Sequence, residues 1–253
     1  MSKLSNLKIV LVEPAGALNV GSVARAMKNM GLQQLILVKP HCDRNSEEAR
    51  RMAVHGIDIL EGSLEVDSLP EALQDCQRAI ATTSRSRTLA TPLESPRVAL
   101  PWLLEENITS ALIFGPEDRG LSNIELNYAQ RFVGIPANPE YPSLNLAQAV
   151  AVCAYELYQI SLQQEGERSK PIPSSRTDAA TLDDLEGYYQ HLESVLLRIG
   201  YLYPHTAAAR MEKFRSIYNR ANLSREELAL LRGILGHLDW ILQLVPEDKL
   251  PYP

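Results

Sequence analysis

The chain has 253 residues, 45% of them hydrophobic and 22% charged, with a formal net charge of −6. That length suits one large domain, or a domain with an appendage, of ordinary globular composition. No apolar run approaches the roughly 20 residues that span a bilayer. No apolar leader opens the sequence, and the negative charge argues against broad nonspecific nucleic-acid binding.

A soluble, cytoplasmic protein is therefore expected, and a local basic patch stays compatible with its net charge. The 3 cysteines form no CxxC pair and no two of the 5 histidines are four residues apart. A disulfide framework, a structural zinc site and metal-ligand spacing are thus all unsupported.

In chain order, residues 7–12 (LKIVLV) read as a buried strand, continuously apolar and β-branched. Residues 19–31 read as a helix, with Asn19 as N-cap and Gly31 as C-cap. Val20, Val23, Met27 and Met30 face the core at helical spacing, and Asn19, Ser22 and Arg25 form a polar ridge on another side. A strand follows at 35–38, then helices at 46–56 and 70–76. A strand at 79–83 runs into the polar loop Ser84-Arg85-Ser86-Arg87. Residues 98–106 are helical, interrupted by Pro101; 111–114 form a strand ending at Gly115; 121–128 form a short helix and 131–135 another strand. The longest helix runs from Asn145 to about Gln163, with Leu146, Ala149, Val150, Cys153, Ala154 and Leu157 on its apolar side.

Strands alternating with helices predict an α/β fold with a mostly parallel sheet covered on both faces. Composition then shifts. Residues 1–162 are expected to form the sheet domain, 163–180 a polar, Pro/Ser-rich linker, and 181–253 a small all-helical extension. Helices are predicted there at 181–199, 205–220 and 224–244, with Thr181 and Ser224 as caps.

The candidate site lies in the polar loops after the strands, where parallel sheets bind ligands. GxGxxG, Walker A, GxSxG and HExxH are all absent. Three strand–loop–helix settings stand out instead: Asn19-x-Gly21-x-x-x-Arg25, Gly115-x-Glu117-x-x-Gly120, and Pro142-Ser143-Leu144-Asn145. Each is loose alone. Arg25 is otherwise a solvated charge, 115–120 a plain glycine-bounded turn, and Ser143 with Asn145 simple helix caps. The loop 82–88 (TTSRSRT) gathers hydroxyls and two guanidiniums, suited to an anionic backbone. In the tail, Arg210, Lys213, Arg215 and Arg220 cluster with Phe214 and Tyr218, either as a solvated face or as a contact for RNA phosphates.

Together, these motifs and the segments LVEPAGALNVGSVARAMKNMG, TSRSRTL and ANPEYPSLNLAQAV resemble the SPOUT-class RNA 2′-O-methyltransferases, and within them the TrmJ type, across most of residues 7–160. The resemblance implies a trefoil knot in the carboxyl part of the sheet domain, an exception to unknotted topology. It also implies a homodimer and S-adenosylmethionine as cofactor, held bent by the knot loops. The implied reaction is methylation of the ribose 2′-hydroxyl of cytidine or uridine 32 in the tRNA anticodon loop.

By position, Thr82, Thr83, Ser84, Gly115, Ile135, Pro142, Ser143 and Leu144 match the cofactor loops. Arg25 matches the catalytic arginine, and Asn19, Glu117, Ser143 and Asn145 its polar support. Ser22, Arg85, Arg87, Arg210, Lys213 and Arg215 are candidate RNA contacts. Pro142 departs from the pattern, removing one N–H donor and stiffening its loop. Ribosomal RNA as substrate, or noncatalytic RNA binding on the same scaffold, are the alternatives; no metal or membrane partner is expected.

Overall fold

The computed structural model describes residues 3–84, 93–105, 108–166 and 179–244. Its elements in order are β1 (Leu7–Val12), α1 (Ala17–Asn29), β2 (Gln34–Val38), α2 (Glu47–Ala53), α3 (Ile57–Glu61), β3 (Leu64–Val66), α4 (Leu69–Ala72), β4 (Arg78–Thr82) and α5 (Pro96–Ala99). There follow β5 (Ser110–Phe114), α6 (Asn123–Leu126), β6 (Arg131–Val133), α7 (Leu146–Gly166), α8 (Leu182–Arg198), α9 (Ala207–Ala221) and α10 (Arg225–Gln243). Two compact units result, Met1–Ser175 and Arg176–Pro253.

In the first unit, six strands form one sheet in the order β3-β2-β1-β5-β4-β6, every pairing parallel. Leu7, Ile9, Val10 and Leu11 of β1 are wholly buried, as a central strand covered on both faces requires. Parallel pairing places all strand carboxyl ends along one edge. The order reverses beside β1, so the loops after β1 and β5 leave the sheet next to each other, the arrangement that opens a ligand crevice.

Several elements differ from the sequence reading for physical reasons. α1 starts two residues earlier than expected, with Gly16 as N-cap and no capping side chain. Asn19 is therefore not the N-cap, and Gly31 sits one residue beyond the Met30 C-cap. The helix expected over 46–56 breaks at Val54, which adopts φ 49°, and a 3₁₀ turn over Val54–Gly56 leads into α3. The break brings Gly56 against α1, where an added Cβ would lie 2.6 Å from the Ala24 carbonyl oxygen. α5 starts at Pro96, and Pro101 falls in the 3₁₀ segment Leu100–Leu104 that follows. β6 stops at Val133, so Ile135 belongs to a loop. β3 was not anticipated: it is three residues long and mostly exposed, too short for alternation to be visible.

Gly21 has a packing role. A Cβ there would stand 2.1 Å from the Ala49 carbonyl oxygen and 2.9 Å from Met52 Cβ, so the backbones of α1 and α2 approach this closely only because the position is bare. Gly21→Ala is expected to destabilise the protein by about 1–3 kcal/mol, lowering the melting temperature by roughly 2–4 °C per kcal/mol. A variant melting with the parent would contradict this close approach.

Cys42, Cys76 and Cys153 are free thiols. Cys153 packs in the core, and burial pushes its thiol up to about 12. Helix α7 continues through Gly166, into the segment expected as linker.

The second unit packs α8, α9 and α10 around a core of its own. Leu185, Tyr188, Tyr189, Leu192 and Val195 of α8 meet Met211 of α9 and Leu228, Leu235 and Leu242 of α10. Thr181 accepts from the Asp184 N–H, and Ser224 with Glu227 makes a full capping box. No helix among the described residues is long and apolar enough to cross a membrane.

Candidate active site

Three loops at the carboxyl edge of the sheet converge on one cavity of about 170 Å³. The end of β4 and the loop after it contribute Thr82, Thr83 and Ser84; the loop after β5 contributes Gly115 through Leu121; the loop after β6 contributes Ile135, Pro142, Ser143 and Leu144. All eight residues matched to cofactor loops in the sequence line this single cavity.

The first loop is tied at both sides. Thr82 Oγ1 donates to the Ile113 carbonyl at 3.0 Å, and the Thr83 N–H donates to the Val133 carbonyl at 2.9 Å. The β5–α6 loop depends on its two glycines for different reasons. A Cβ on Gly115 would meet Leu121 N at 2.4 Å and Gly120 C at 2.5 Å, and Gly120 adopts φ +65°. The turn closes on itself at one end and enters the left-handed region at the other, where a side chain is strained.

Glu117, on this loop, is the hub of a polar chain. Its carboxylate accepts from Asn19 Nδ2 at 2.7 Å, from the Ala15 N–H at 3.1 Å and from the Gly16 N–H at 3.3 Å. Asn19 Oδ1 in turn accepts from Asn145 Nδ2 at 3.0 Å. Asn145 Oδ1 accepts from the N–H groups of Ala147 and Gln148, so it also caps α7. Three separated motifs thus meet through two amides and one carboxylate.

Burial pushes the Glu117 carboxyl up, but the hydrogen bonds from Asn19 and the backbone outweigh it, and the net shift is downward. A depressed folded pKa means that these bonds stabilise the protein above the ordinary value of 4.5, and that this stabilisation is lost as pH falls through the lower folded value. Glu117→Gln is expected to be less stable than the parent at pH 7, with the gap narrowing below about pH 4.5. A pH-independent gap in denaturant melts would contradict that assignment.

Arg119 was not singled out in the sequence. It lines the cavity and bridges two carboxylates, Glu13 at 2.7 Å and Glu125 at 2.9 and 3.0 Å. Hydrogen bonds donated to those carboxylates hold its guanidinium further toward the charged form. The bridge ties the β5–α6 loop to the end of β1. Its signal was hidden because Glu13 lies far away in sequence and carries no motif.

Most of the remaining candidates do not line the cavity. Arg25 is exposed on α1, about 9 Å along the helix axis from Asn19 at 1.5 Å per residue, and it does not line the cavity. Ser22 donates its hydroxyl proton to the Leu18 carbonyl at 2.7 Å, leaving only lone pairs for a ligand. Ser143 is exposed at the cavity edge. Arg85 and Arg87 lie outside the described residues.

In the second unit, Arg210 and Lys213 are exposed. Arg215 is pinned by Glu186 at 2.6 and 2.8 Å and lies 4.5 Å from the Tyr189 ring centroid, an arrangement that joins α9 to α8. No cluster of metal-ligating side chains occurs among the described residues.

The cavity's chemistry suits S-adenosylmethionine. Val133, Ile135, Leu144 and Leu146 offer apolar contact for a purine. Thr82, Thr83, Ser84 and Ser143 bring hydroxyls, and Glu117 and Asp118 add negative charge at the lining that suits a cationic ligand.

Residues 6–155 match the SpoU rRNA methylase family, so the chain belongs to the SpoU methylases, a family of SPOUT fold. Membership implies that the trefoil knot lies in the carboxyl part of the sheet, where these loops converge. Residues 183–247 match the C-terminal domain of the tRNA methyltransferase TrmJ.

Two similar relatives share that name. The tRNA (cytidine/uridine-2′-O-)-methyltransferase TrmJ of Pectobacterium atrosepticum is 42% identical over 92% of this chain and 96% of its own. The tRNA (cytidine/uridine/adenosine-2′-O-)-methyltransferase TrmJ of Pseudomonas aeruginosa is 40% identical over 92% and 93%. The crystal structure of TrmJ from Z. mobilis ZM4 superposes with a TM-score of 0.80 at 31% identity, covering 92% of this chain and 98% of that one.

Proposed function

We propose that this protein transfers a methyl group from S-adenosylmethionine to the ribose 2′-hydroxyl of cytidine or uridine at position 32 of the tRNA anticodon loop. It works in the cytoplasm, as a homodimer. The observation that carries the reading is the convergence of three loops on one cavity, joined through Glu117, Asn19 and Asn145. The likeness to TrmJ enzymes in both units favours tRNA over ribosomal RNA.

S-adenosylmethionine supplies, when bound, a methyl carbon already activated on a sulfonium, with a neutral thioether as leaving group. The chain's own task is to align the ribose oxygen and assist loss of its proton. Arg25 carries a guanidinium, a donor-only group with no lone pair to offer, and is not the base. In this reading it grips a phosphate beside the target ribose and stabilises negative charge developing on O2′. The proton leaves through that phosphate or water. Glu117, held by three N–H donors, is too weak a base for the step and instead fixes Asn19 and the β1 loop. Ser143 offers its hydroxyl to the ribose or to the cofactor carboxylate.

Arg85, Arg87, Arg210 and Lys213 take RNA phosphates in this scheme, with Ser22 accepting from the substrate and Arg215 holding α9 in place. Incubation with methyl-labelled cofactor and total RNA tests the reading. Label is expected in tRNA; label confined to ribosomal RNA, or none, would overturn it. Light scattering is expected to give twice the 28.2 kDa chain mass.

A further inference from the structure

The connection between α8 and α9 presents its side chains alternately. Leu202 is wholly buried, while Tyr201 and Tyr203 on either side are 53% and 44% exposed, and His205 is exposed beyond them. The backbone that carries the rings is fixed. The Tyr201 and Leu202 N–H groups both donate to the Leu196 carbonyl, and the Tyr203 carbonyl accepts from the N–H groups of Thr206 and Ala207.

Tyr201 lies beside a cation. The Arg210 guanidinium carbon lies 5.6 Å from the Tyr201 ring centroid, and its Nη1 donates to the Tyr201 carbonyl at 3.0 Å. Phe214 flanks the same ring at 6.5 Å between centroids. Tyr203 and His205 stack at 5.9 Å, 29° from parallel. Lys213 is exposed one helical turn beyond Arg210.

Exposed rings held rigidly beside charged donors suit a ligand with both flat π-faces and phosphates. A duplex buries its base faces in the stack, whereas an unpaired loop offers them. We propose that Tyr201 and Tyr203, with Arg210 and Lys213, form a stacking platform for unpaired nucleotides of the RNA substrate. The platform rests on the tRNA reading above and deepens it. The tyrosines supply sequence-tolerant stacking, and the two cations hold the backbone running past them.

The test is tRNA binding by the full-length protein over a series of salt concentrations. Tyr201→Ala/Tyr203→Ala is expected to weaken binding on the order of 10- to 100-fold at every salt concentration, with the salt slope unchanged. Tyr201→Phe/Tyr203→Phe keeps the π-faces and is expected to bind within about two-fold of the parent. Arg210→Ala/Lys213→Ala is expected to flatten the slope of log K against log salt by roughly 0.7 per cation. A single-stranded oligoadenylate is expected to displace tRNA from the parent better than an RNA duplex of equal charge.

Full affinity in the double alanine tyrosine variant, or better competition by the duplex, would overturn the platform while leaving the enzymatic reading intact. So would loss of self-association with RNA binding unchanged, which marks the patch as a protein interface. A parent protein that binds no tRNA at any salt concentration overturns the tRNA reading, and the platform with it.

Discussion

Arg25→Ala is expected to lower kcat for tRNA methylation by about 10²–10³-fold, the loss seen when one preorganised donor to a developing oxyanion is removed. Cofactor affinity is expected to stay within about two-fold of the parent, because Arg25 is outside the cavity lining. Arg25→Lys separates charge from shape. A lysine keeps the positive charge but not the planar fork that grips a phosphate through two parallel N–H groups. It is expected to retain at most about a tenth of parental turnover, a loss of roughly 1.4 kcal/mol or more in transition-state stabilisation. Single-turnover kinetics with saturating cofactor reads the effect directly, and near-full turnover in Arg25→Lys would contradict the need for the guanidinium.

Gly115→Ala carries the second large effect, on the cofactor side. The added methyl would sit 2.4 Å from Leu121 N and 2.5 Å from Gly120 C. These are backbone atoms with no rotamer to change, so the turn has to open. Opening moves Glu117 and Arg119, which share the loop and tether it to Asn19 and Glu13. Affinity for S-adenosylmethionine is expected to fall at least about 100-fold, in keeping with 1 Å displacements in positioned sites. Calorimetry with the cofactor alone checks this without RNA. Parental affinity in the variant would show that the cavity tolerates a loosened turn and that Gly115 is not part of the cofactor site.

Arg25 shares α1 with Asn19, and Gly115 shares a loop with Glu117, so the two substitutions fall on two elements that the polar chain joins. Glu117 is tied to the β1–α1 loop through the Ala15 and Gly16 N–H groups, and Asn19 links α1 to the start of α7. Arg119 adds a second tie, from the same loop to Glu13. A shift in one loop is therefore passed to its neighbours through bonds near 3 Å, which is how a site built on loops gains the rigidity of its scaffold.

What the sequence revealed follows from the range over which each feature is encoded. The buried strands were legible because LKIVLV and its counterparts are continuous apolar runs, and a parallel sheet leaves such runs no solvent face. Asn145 was legible as a cap because its partners are two and three residues on. Asn19 was not: an asparagine before an apolar helix reads as a cap, yet its amide is spent on Glu117 and Asn145, both about a hundred residues away or more. The break at Val54 was hidden for the same reason, since the contact it permits, Gly56 against α1, is with a distant part of the chain. Arg119 lay inside a recognised motif but drew no attention, because its two carboxylates come from β1's end and α6. Residue types and loop order announced the cavity; which side chains are already bonded to one another required coordinates.

The most direct test of the central claim, that these loops present a methyl donor to an RNA ribose, is nucleotide mapping. Undermodified tRNA is incubated with the protein and S-adenosylmethionine, digested, and read by mass spectrometry. The expected product is a single 2′-O-methylated pyrimidine at position 32 of the anticodon loop. A methyl group on a base, or tRNA recovered with no added mass, would contradict the account.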